Sequence, residues 1–161
     1  MSRAALLDGI FQIAYVTNDS DRAAALLKER YGAGDFYFMR DIPNEAGAMT
    51  IALAYAGSMN IELIQPSASG PALYSDWIKD AGGFALRHHH YGMLINDEAG
   101  WQAMRARVIE LGAAIPMEGA VPGGLDYLYA DTTADLGHYL EYIRLYEGGR
   151  EMFRAVPGSP F

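Results

Sequence analysis

The chain lacks cysteine altogether, and this absence excludes disulfides, zinc fingers and a thiol nucleophile. Any bound metal ion must therefore be held by histidine, carboxylate and amide groups. Basic residues are few, with 12 Lys and Arg against 20 Asp and Glu, and they form no cluster. The net charge is −8. Nucleic acids and anionic membranes require basic patches, so we expect neither as a partner.

Long apolar runs are missing as well. No run approaches the roughly 18 residues of a membrane span, and the N-terminal residues offer too short an apolar stretch for a signal sequence. We therefore expect a cytoplasmic protein that acts on a small molecule. What the 161 residues do contain is 51% hydrophobic side chains, which is an ordinary composition for one compact domain.

An internal repeat organises the chain. From Gln12 the sequence reads Gln-Ile-Ala-Tyr-Val-Thr-Asn-Asp, and from His90 it reads His-Tyr-Gly-Met-Leu-Ile-Asn-Asp. Each copy is a polar residue, five small or apolar residues and an Asn-Asp cap signal, followed by a helical stretch that ends at Gly32 or Gly112. The repeat predicts one strand and one helix at the start of each half of the chain.

Each half then continues with three more strand patterns. The first half predicts strands at 9–17, 36–40, 49–55 and 60–65, a helix at 21–31 and a turn at 42–47. The second half predicts strands at 88–95, 113–117, 126–129 and 138–145 and a helix at 99–111. We therefore predict an α+β fold with one βαβββ module at residues 8–66 and another at 87–146. A linker at 67–86 carries a short helix at 72–80, and the tail at 147–161 is either loose or pinned across a subunit surface.

One acidic residue lies among apolar neighbours in the last strand of each half. These residues are Glu62 in Ile-Glu-Leu-Ile and Glu141 in Leu-Glu-Tyr-Ile. The two glutamates are 79 positions apart, and Gln12 and His90 are 78 apart, so the four residues share the register of the repeat. If the modules pack with pseudo-twofold symmetry, the four side chains can converge on one point.

Burial of these carboxylates needs a reason, because a charged group in an apolar strand is costly unless it is paired or bound to a metal ion. The residues two positions after the strand heads, Ala14 and Gly92, are small and leave room for a ligand. Alternatively, the glutamates form buried ion pairs with Arg40 or Arg144.

Together these motifs resemble the vicinal oxygen chelate superfamily, which includes glyoxalase I, methylmalonyl-CoA epimerase, bleomycin resistance proteins and extradiol dioxygenases. The resemblance covers about residues 8–146. The segment from Ser75-Asp76-Trp77-Ile78 through Gly83 to His89-His90-Tyr91-Gly92 is similar to the epimerase-like branch. The resemblance implies two βαβββ modules in pseudo-twofold repeat, forming an open, cupped mixed β-barrel with helices outside. It also implies a homodimer.

The resemblance further implies a site for one divalent metal ion. Carried over position by position, the metal ligands are Gln12, Glu62, His90 and Glu141. This set resembles that of animal-type glyoxalase I, whereas epimerases more usually have histidine where this chain has Gln12. One imidazole, one amide oxygen and two carboxylates suit Zn, Ni, Co, Mn or Fe.

Such a site predicts a metal-dependent lyase, isomerase or epimerase that acts on a small carbonyl or thioester substrate through an enolate. The resemblance implies that a metal-adjacent glutamate moves the carbon-bound proton, with Glu141 as the expected base and Glu62 as the alternative. Two other functions stay open. One is a binding protein of the same fold that does no chemistry, and the other is a ring-cleaving dioxygenase, which requires a further histidine at position 12.

Candidates for the substrate pocket are His88, Tyr91, Trp77, Tyr139 and Glu45. Strand alternation puts His88 on the face of His90 and turns His89 away, and we expect His88 and His89 to line the pocket or lie on the surface. Trp77 is placed to roof a site from the linker helix. Glu45 lies near the position where epimerases have a second acid-base residue. Each of these residues also has an ordinary structural alternative. The aromatic and histidine rings can pack against neighbours, and a glutamate in a turn can simply be solvated.

Overall fold

The computed structural model describes residues 4–44 and 47–161. The strands are β1 (Ile10–Thr17), β2 (Tyr37–Asn44), β3 (Gly47–Ala56), β4 (Met59–Gln65), β5 (Leu86–Leu94), β6 (Met117–Val121), β7 (Leu125–Ala130) and β8 (Tyr139–Leu145). The helices are α1 (Ser20–Tyr31), α2 (Ala72–Ile78), α3 (Glu98–Leu111), α4 (Thr133–Leu136) and α5 (Glu147–Arg154). The α+β class and the βαβββ order of each half are confirmed. Among the described helices, none combines the length and apolar character that a membrane crossing requires.

The repeated Asn-Asp and glycine signals act as helix caps. The side chains of Asp19 and Asp97 each accept a hydrogen bond from the backbone N–H three residues further on, at the start of α1 and α3. Gly32 and Gly112 end the two helices with φ values of 73° and 76°, in the left-handed region that glycine adopts without steric penalty. The caps therefore fix where both helices begin and end.

The backbone forms two compact units. The Gln12 unit consists of Gln12–His89 with Phe153–Phe161. Its strands lie in the order β2-β3-β4-β1, in which β4 and β1 are parallel and the other neighbours are antiparallel. Helix α1 packs on this sheet through small and branched side chains, and the buried core consists of Ala23, Ala24, Leu27, Ala33, Ala52, Ile61 and Leu63.

The His90 unit consists of the described residues up to Phe11 together with His90–Met152. Its strands repeat the same arrangement in the order β5-β8-β7-β6, with β5 and β8 parallel and the other neighbours antiparallel. Helix α3 covers one face, and the buried core consists of Met93, Met104, Val108, Leu128, Ala130, Leu140 and Tyr142. In both units the first and last strands are therefore direct neighbours.

The predicted turn at 42–47 is wrong for most of its length. Strand β2 continues to Asn44, and β3 begins at Gly47, so only residues 45 and 46 separate them. Pro43 is tolerated because β2 is the outermost strand of its unit, where a missing N–H breaks no ladder on the outer side. The pairing with β3 shifts register between Met39 and Ile42, and Asp41 has φ 55° there, as expected for a bulge.

In the second half of the chain one strand differs from expectation, and one of the two alternatives for the tail does not hold. Strand β6 begins at Met117, where a strand at 113–117 is predicted. The residues before Met117 do not join the strand. Ala113 and Ile115 pack on the core of the His90 unit, and Pro116 has no N–H to donate to a neighbouring strand. The tail is structured rather than loose: it forms α5 and buries Phe153 and Val156.

Candidate metal centre

The first pair of predicted ligands lies on the parallel strands β1 and β4. In this ladder Gln12 is paired with Asn60 and Ala14 with Glu62. Gln12 and Asn60 are fully buried, while Glu62 is half-buried with its Oε2 atom shielded from solvent. The small side chain of Ala14 beside Glu62 is consistent with the room for a ligand that the sequence suggests.

Gln12 and Asn60 form a buried amide pair. The Nε2 atom of Gln12 donates to Oδ1 of Asn60 over 2.9 Å, and Nδ2 of Asn60 donates to the carbonyl oxygen of Ala54 over 3.3 Å. The Oε1 atom of Gln12 is buried and has no hydrogen-bond partner among the described residues. An unpaired buried oxygen of this kind is costly, and a bound cation would satisfy it.

The second pair of predicted ligands lies on β5 and β8 in the same register. His90 is paired with Tyr139, and Gly92 with Glu141. His90 is fully buried and Glu141 is 8% exposed. The Nε2 atom of His90 lies 3.0 Å from Oε2 of Glu141, so the imidazole and the carboxylate meet at one point. The His90 ring also meets the ring of Tyr129 edge to face, at 5.0 Å between centroids, which restrains its orientation.

The two pairs are equivalent in the ladder as well as in the sequence. In each unit the residue two positions after the strand head, Ala14 or Gly92, is small and is paired with a glutamate. The register inferred from the repeat is thus present in the backbone hydrogen bonding of both units. Two of the predicted ligands, His90 and Glu141, thus meet within the His90 unit and are among the side chains that could hold a metal ion.

The alternative of buried ion pairs with arginine does not hold. Arg40 pairs with Asp21 over 2.7 Å, and this interaction lowers the pKa of the exposed Asp21 carboxyl. Arg144 pairs with Glu98 and lies 3.2 Å from Asp126. Both arginines are therefore engaged with other carboxylates.

Two of the proposed pocket residues, Trp77 of the linker helix α2 and His88 of β5, contact each other. The Nε1 atom of Trp77 donates to the carbonyl oxygen of His88 over 2.8 Å, and the His88 ring meets the Tyr15 ring at 5.9 Å. His89 is fully buried, with its ring 5.1 Å from that of Trp77 and its Nε2 atom 3.0 Å from the carbonyl oxygen of Leu73. The expectation that His89 lines a pocket or lies on the surface is wrong, because α2 covers it.

The other proposed pocket residues are placed as follows. Tyr91 meets the His138 ring edge to face at 5.0 Å and packs on the core of its unit. Tyr139 is half-buried and follows His138 at the start of β8. Glu45 lies outside the described residues. A role of these residues in substrate binding stays a prediction.

A cleft of about 580 Å³ in the Gln12 unit lies on the other side of β1 from Gln12. Its lining includes Ile13, Tyr15, Leu27, Ile61 and Phe84. Because side chains alternate along a strand, Ile13 and Tyr15 face away from the candidate ligands Gln12 and Glu62. This apolar cleft is therefore not part of the candidate metal centre.

Asn60 is the residue of the site that the sequence prediction missed. A signal for it is present, since Asn60 precedes Glu62 by two positions and so lies on the same face of β4. A second polar residue on the buried face of an apolar strand needs a partner for the same reason that the glutamate does.

Comparison with known proteins identifies the family. Residues 11–125 match the family described as the Glyoxalase/Bleomycin resistance protein/Dioxygenase superfamily. The chain belongs to this superfamily, which confirms the resemblance inferred from the repeat. No curated protein sequence matches the chain.

Solved structures share the fold. The methylmalonyl-CoA epimerase of Mycobacterium tuberculosis is 15% identical, with a TM-score of 0.65 over 90% of this chain and 93% of that one. A variant of the Streptomyces coelicolor methylmalonyl-CoA epimerase in complex with 2-nitronate-propionyl-CoA is 16% identical, with a TM-score of 0.65 over 85% and 96%. A hypothetical protein from Bacillus halodurans is 17% identical, with a TM-score of 0.66 over 86% and 94%.

Proposed function

We propose that the chain is a metal-dependent isomerase or epimerase that moves a carbon-bound proton of a small carbonyl or thioester substrate. The observation that carries the proposal is the buried pair of His90 and Glu141, whose Nε2 and Oε2 atoms lie 3.0 Å apart and are suited to hold a metal ion. Membership of the superfamily and the fold shared with methylmalonyl-CoA epimerases support the same reaction type.

The proposed ligands are Gln12, Glu62, His90 and Glu141, as the family resemblance implies. The donor set suits a divalent transition metal, because one imidazole and three oxygen donors match Zn, Ni, Co, Mn or Fe. The buried Oε1 atom of Gln12, which has no hydrogen-bond partner among the described residues, fits a cation better than it fits an apolar core. A bound divalent ion would polarise a substrate carbonyl and make the neighbouring C–H more acidic.

Glu141 is the proposed base. It is almost fully buried beside His90, so its carboxylate is held where few water molecules compete for it. It would take the proton from the carbon next to the carbonyl, leaving an enolate, and return it to the other face or to the neighbouring carbon. Glu62 is the alternative proton acceptor, in the equivalent position of the other unit.

We propose a thioester or a hemithioacetal as the substrate class. Thioesters are suggested by the fold shared with methylmalonyl-CoA epimerases, and hemithioacetals by the resemblance of the proposed ligand set to that of glyoxalase I. Both carry an acidic C–H next to a carbonyl, which is the group that a buried carboxylate and a Lewis acid would activate together. The homodimer implied by the family resemblance stays a prediction.

Solvent deuterium exchange tests the proposal. Protein loaded with Zn, Ni, Co or Mn is incubated in D₂O with a branched acyl-CoA or with a glutathione hemithioacetal, and deuterium at the carbon next to the carbonyl is followed by NMR. We expect exchange with at least one substrate class, and a loss of about 100-fold or more in Glu141→Gln. The exposed Glu29→Gln serves as the control and should keep full activity. No exchange with either class and any of these metals would refute the proposal.

A further inference from the structure

A glutamine that ligates a metal ion has an orientation problem. The two ends of its amide have nearly the same shape, but only the oxygen can bind a cation, because the NH₂ group is a donor. A free amide rotates between the two orientations, and in one of them the NH₂ group faces the cation in place of the oxygen. Gln12, as a proposed ligand, therefore needs a neighbour that holds its amide in one orientation.

Asn60 meets this requirement through its own contacts. The carbonyl oxygen of Ala54 can only accept a hydrogen bond, so the Nδ2 end of Asn60 must face it. This leaves Oδ1 of Asn60 to face Gln12, and an oxygen acceptor there selects the Nε2 end of the Gln12 amide. The Ala54 carbonyl thus fixes the orientation of the Asn60 amide, and the Asn60 amide in turn fixes the orientation of the Gln12 amide.

The consequence is the position of the Gln12 oxygen. With Nε2 bound to Asn60, Oε1 points away from that bond, and it is buried without a hydrogen-bond partner among the described residues. Both side chains are at most 1% exposed, so water does not compete for these contacts. The pair is also fixed by the backbone, since Gln12 and Asn60 are paired in the parallel β1–β4 ladder.

We propose that Asn60 is a positioning residue that holds the Gln12 amide with its oxygen directed at the bound divalent cation. This inference rests on the proposed function, since it requires a cation at Gln12. Asn60 itself does not ligate the ion. In other metal sites, residues that hydrogen-bond to the ligands have the same role, and loss of such a residue lowers metal affinity by about 10–100-fold.

The test is a double-mutant cycle read by metal affinity rather than by activity. The Zn²⁺ dissociation constant is measured by competition with a chromogenic chelator for the native chain, Asn60→Ala, Gln12→Glu and the double variant. In the native background Asn60→Ala should weaken Zn²⁺ binding by about 10–100-fold. In the Gln12→Glu background it should change binding by less than about threefold, because a carboxylate presents an oxygen at either end.

Thermal melting of the metal-free proteins checks that each variant folds. If Asn60→Ala does not fold, Asn60→Leu replaces it, because leucine fills a similar volume and also removes the acceptor that selects Nε2. Zn²⁺ binding that is unchanged in the Asn60 variant, or weakened equally in both backgrounds, would overturn the positioning role and leave the proposed metal site intact. Absence of Zn²⁺ binding by the native chain would overturn the metal site and the positioning role together.

Discussion

Replacement of Glu141 by glutamine should separate the stability of the fold from the stability that a metal ion adds. The substitution keeps the shape of the side chain but removes a charge that is only 8% exposed. Without metal, the variant should be as stable as the native protein or more stable, because a buried carboxylate carries a desolvation penalty that an amide does not. With metal, the order should reverse.

The size of the metal effect follows from mass action. A metal ion present at 100 times its dissociation constant stabilises the native state by about 2.7 kcal/mol. For a chain of this length, each kcal/mol of added stability raises the melting temperature by about 2–4 °C. The melting temperature should therefore rise by about 5–11 °C. If Glu141→Gln weakens binding by about 100-fold, the same metal concentration adds only about 0.4 kcal/mol, or about 1–2 °C.

The assay is thermal unfolding followed by circular dichroism, with and without Zn²⁺, on protein stripped with a chelator. Glu29→Gln is the matched control, since Glu29 lies on the exposed face of α1 and should keep the full metal shift. A metal shift of the same size in Glu141→Gln as in the native protein would refute the role of this carboxylate as a ligand. Strong destabilisation of metal-free Glu141→Gln would show that the buried carboxylate stabilises the metal-free fold, contrary to this prediction.

Two further substitutions test packing roles. His89→Ala should lower the free energy of unfolding by about 2–4 kcal/mol in chemical denaturation, because it removes contacts with Trp77 and Leu73, while Zn²⁺ affinity stays within about threefold of native. Tyr142→Phe removes the hydrogen bond from the tyrosine hydroxyl to the Leu6 carbonyl and should destabilise by about 1 kcal/mol. Burial raises the pKa of Tyr142, so native stability should fall as the pH rises above about 10, and the fall should be shallower in Tyr142→Phe.

The repeat made most of the fold predictable. The Asn-Asp caps and the glycine stops recur with the strands, and periodicity of two in the strands and near 3.6 in the helices separates the two element types. The register of Gln12, Glu62, His90 and Glu141 followed from counting positions, because equivalent residues of a structural repeat occupy equivalent ladder positions.

What the sequence did not predict depends on contacts made by the folded chain. Strand β6 shifts toward the C-terminus because Ala113 and Ile115 are taken up by the core, and no local pattern distinguishes a core-packing segment from a short strand. The helix of the tail begins with Glu147 and two glycines, a composition that predicts a loop.

The site shows the same division between local and tertiary information. The Asn60 contact requires the carbonyl of Ala54 in the neighbouring strand, and burial of His89 requires α2 above it. Neither neighbour is visible in the local pattern of β4 or β5. The residues that the repeat marks are therefore the proposed ligands, whereas the contacts of Asn60 and His89 depend on neighbouring elements of the fold.

The metal content of the chain tests the proposed metal site most directly. The chain is purified without a histidine tag, dialysed against Zn, Ni, Co or Mn, and measured by elemental mass spectrometry. We expect about one bound ion per chain. That ion should be lost in His90→Leu and retained in His138→Leu, which removes a half-buried histidine outside the proposed ligand set. A chain that takes up none of these metals, or a His90→Leu variant that keeps the ion, would contradict the proposed metal site.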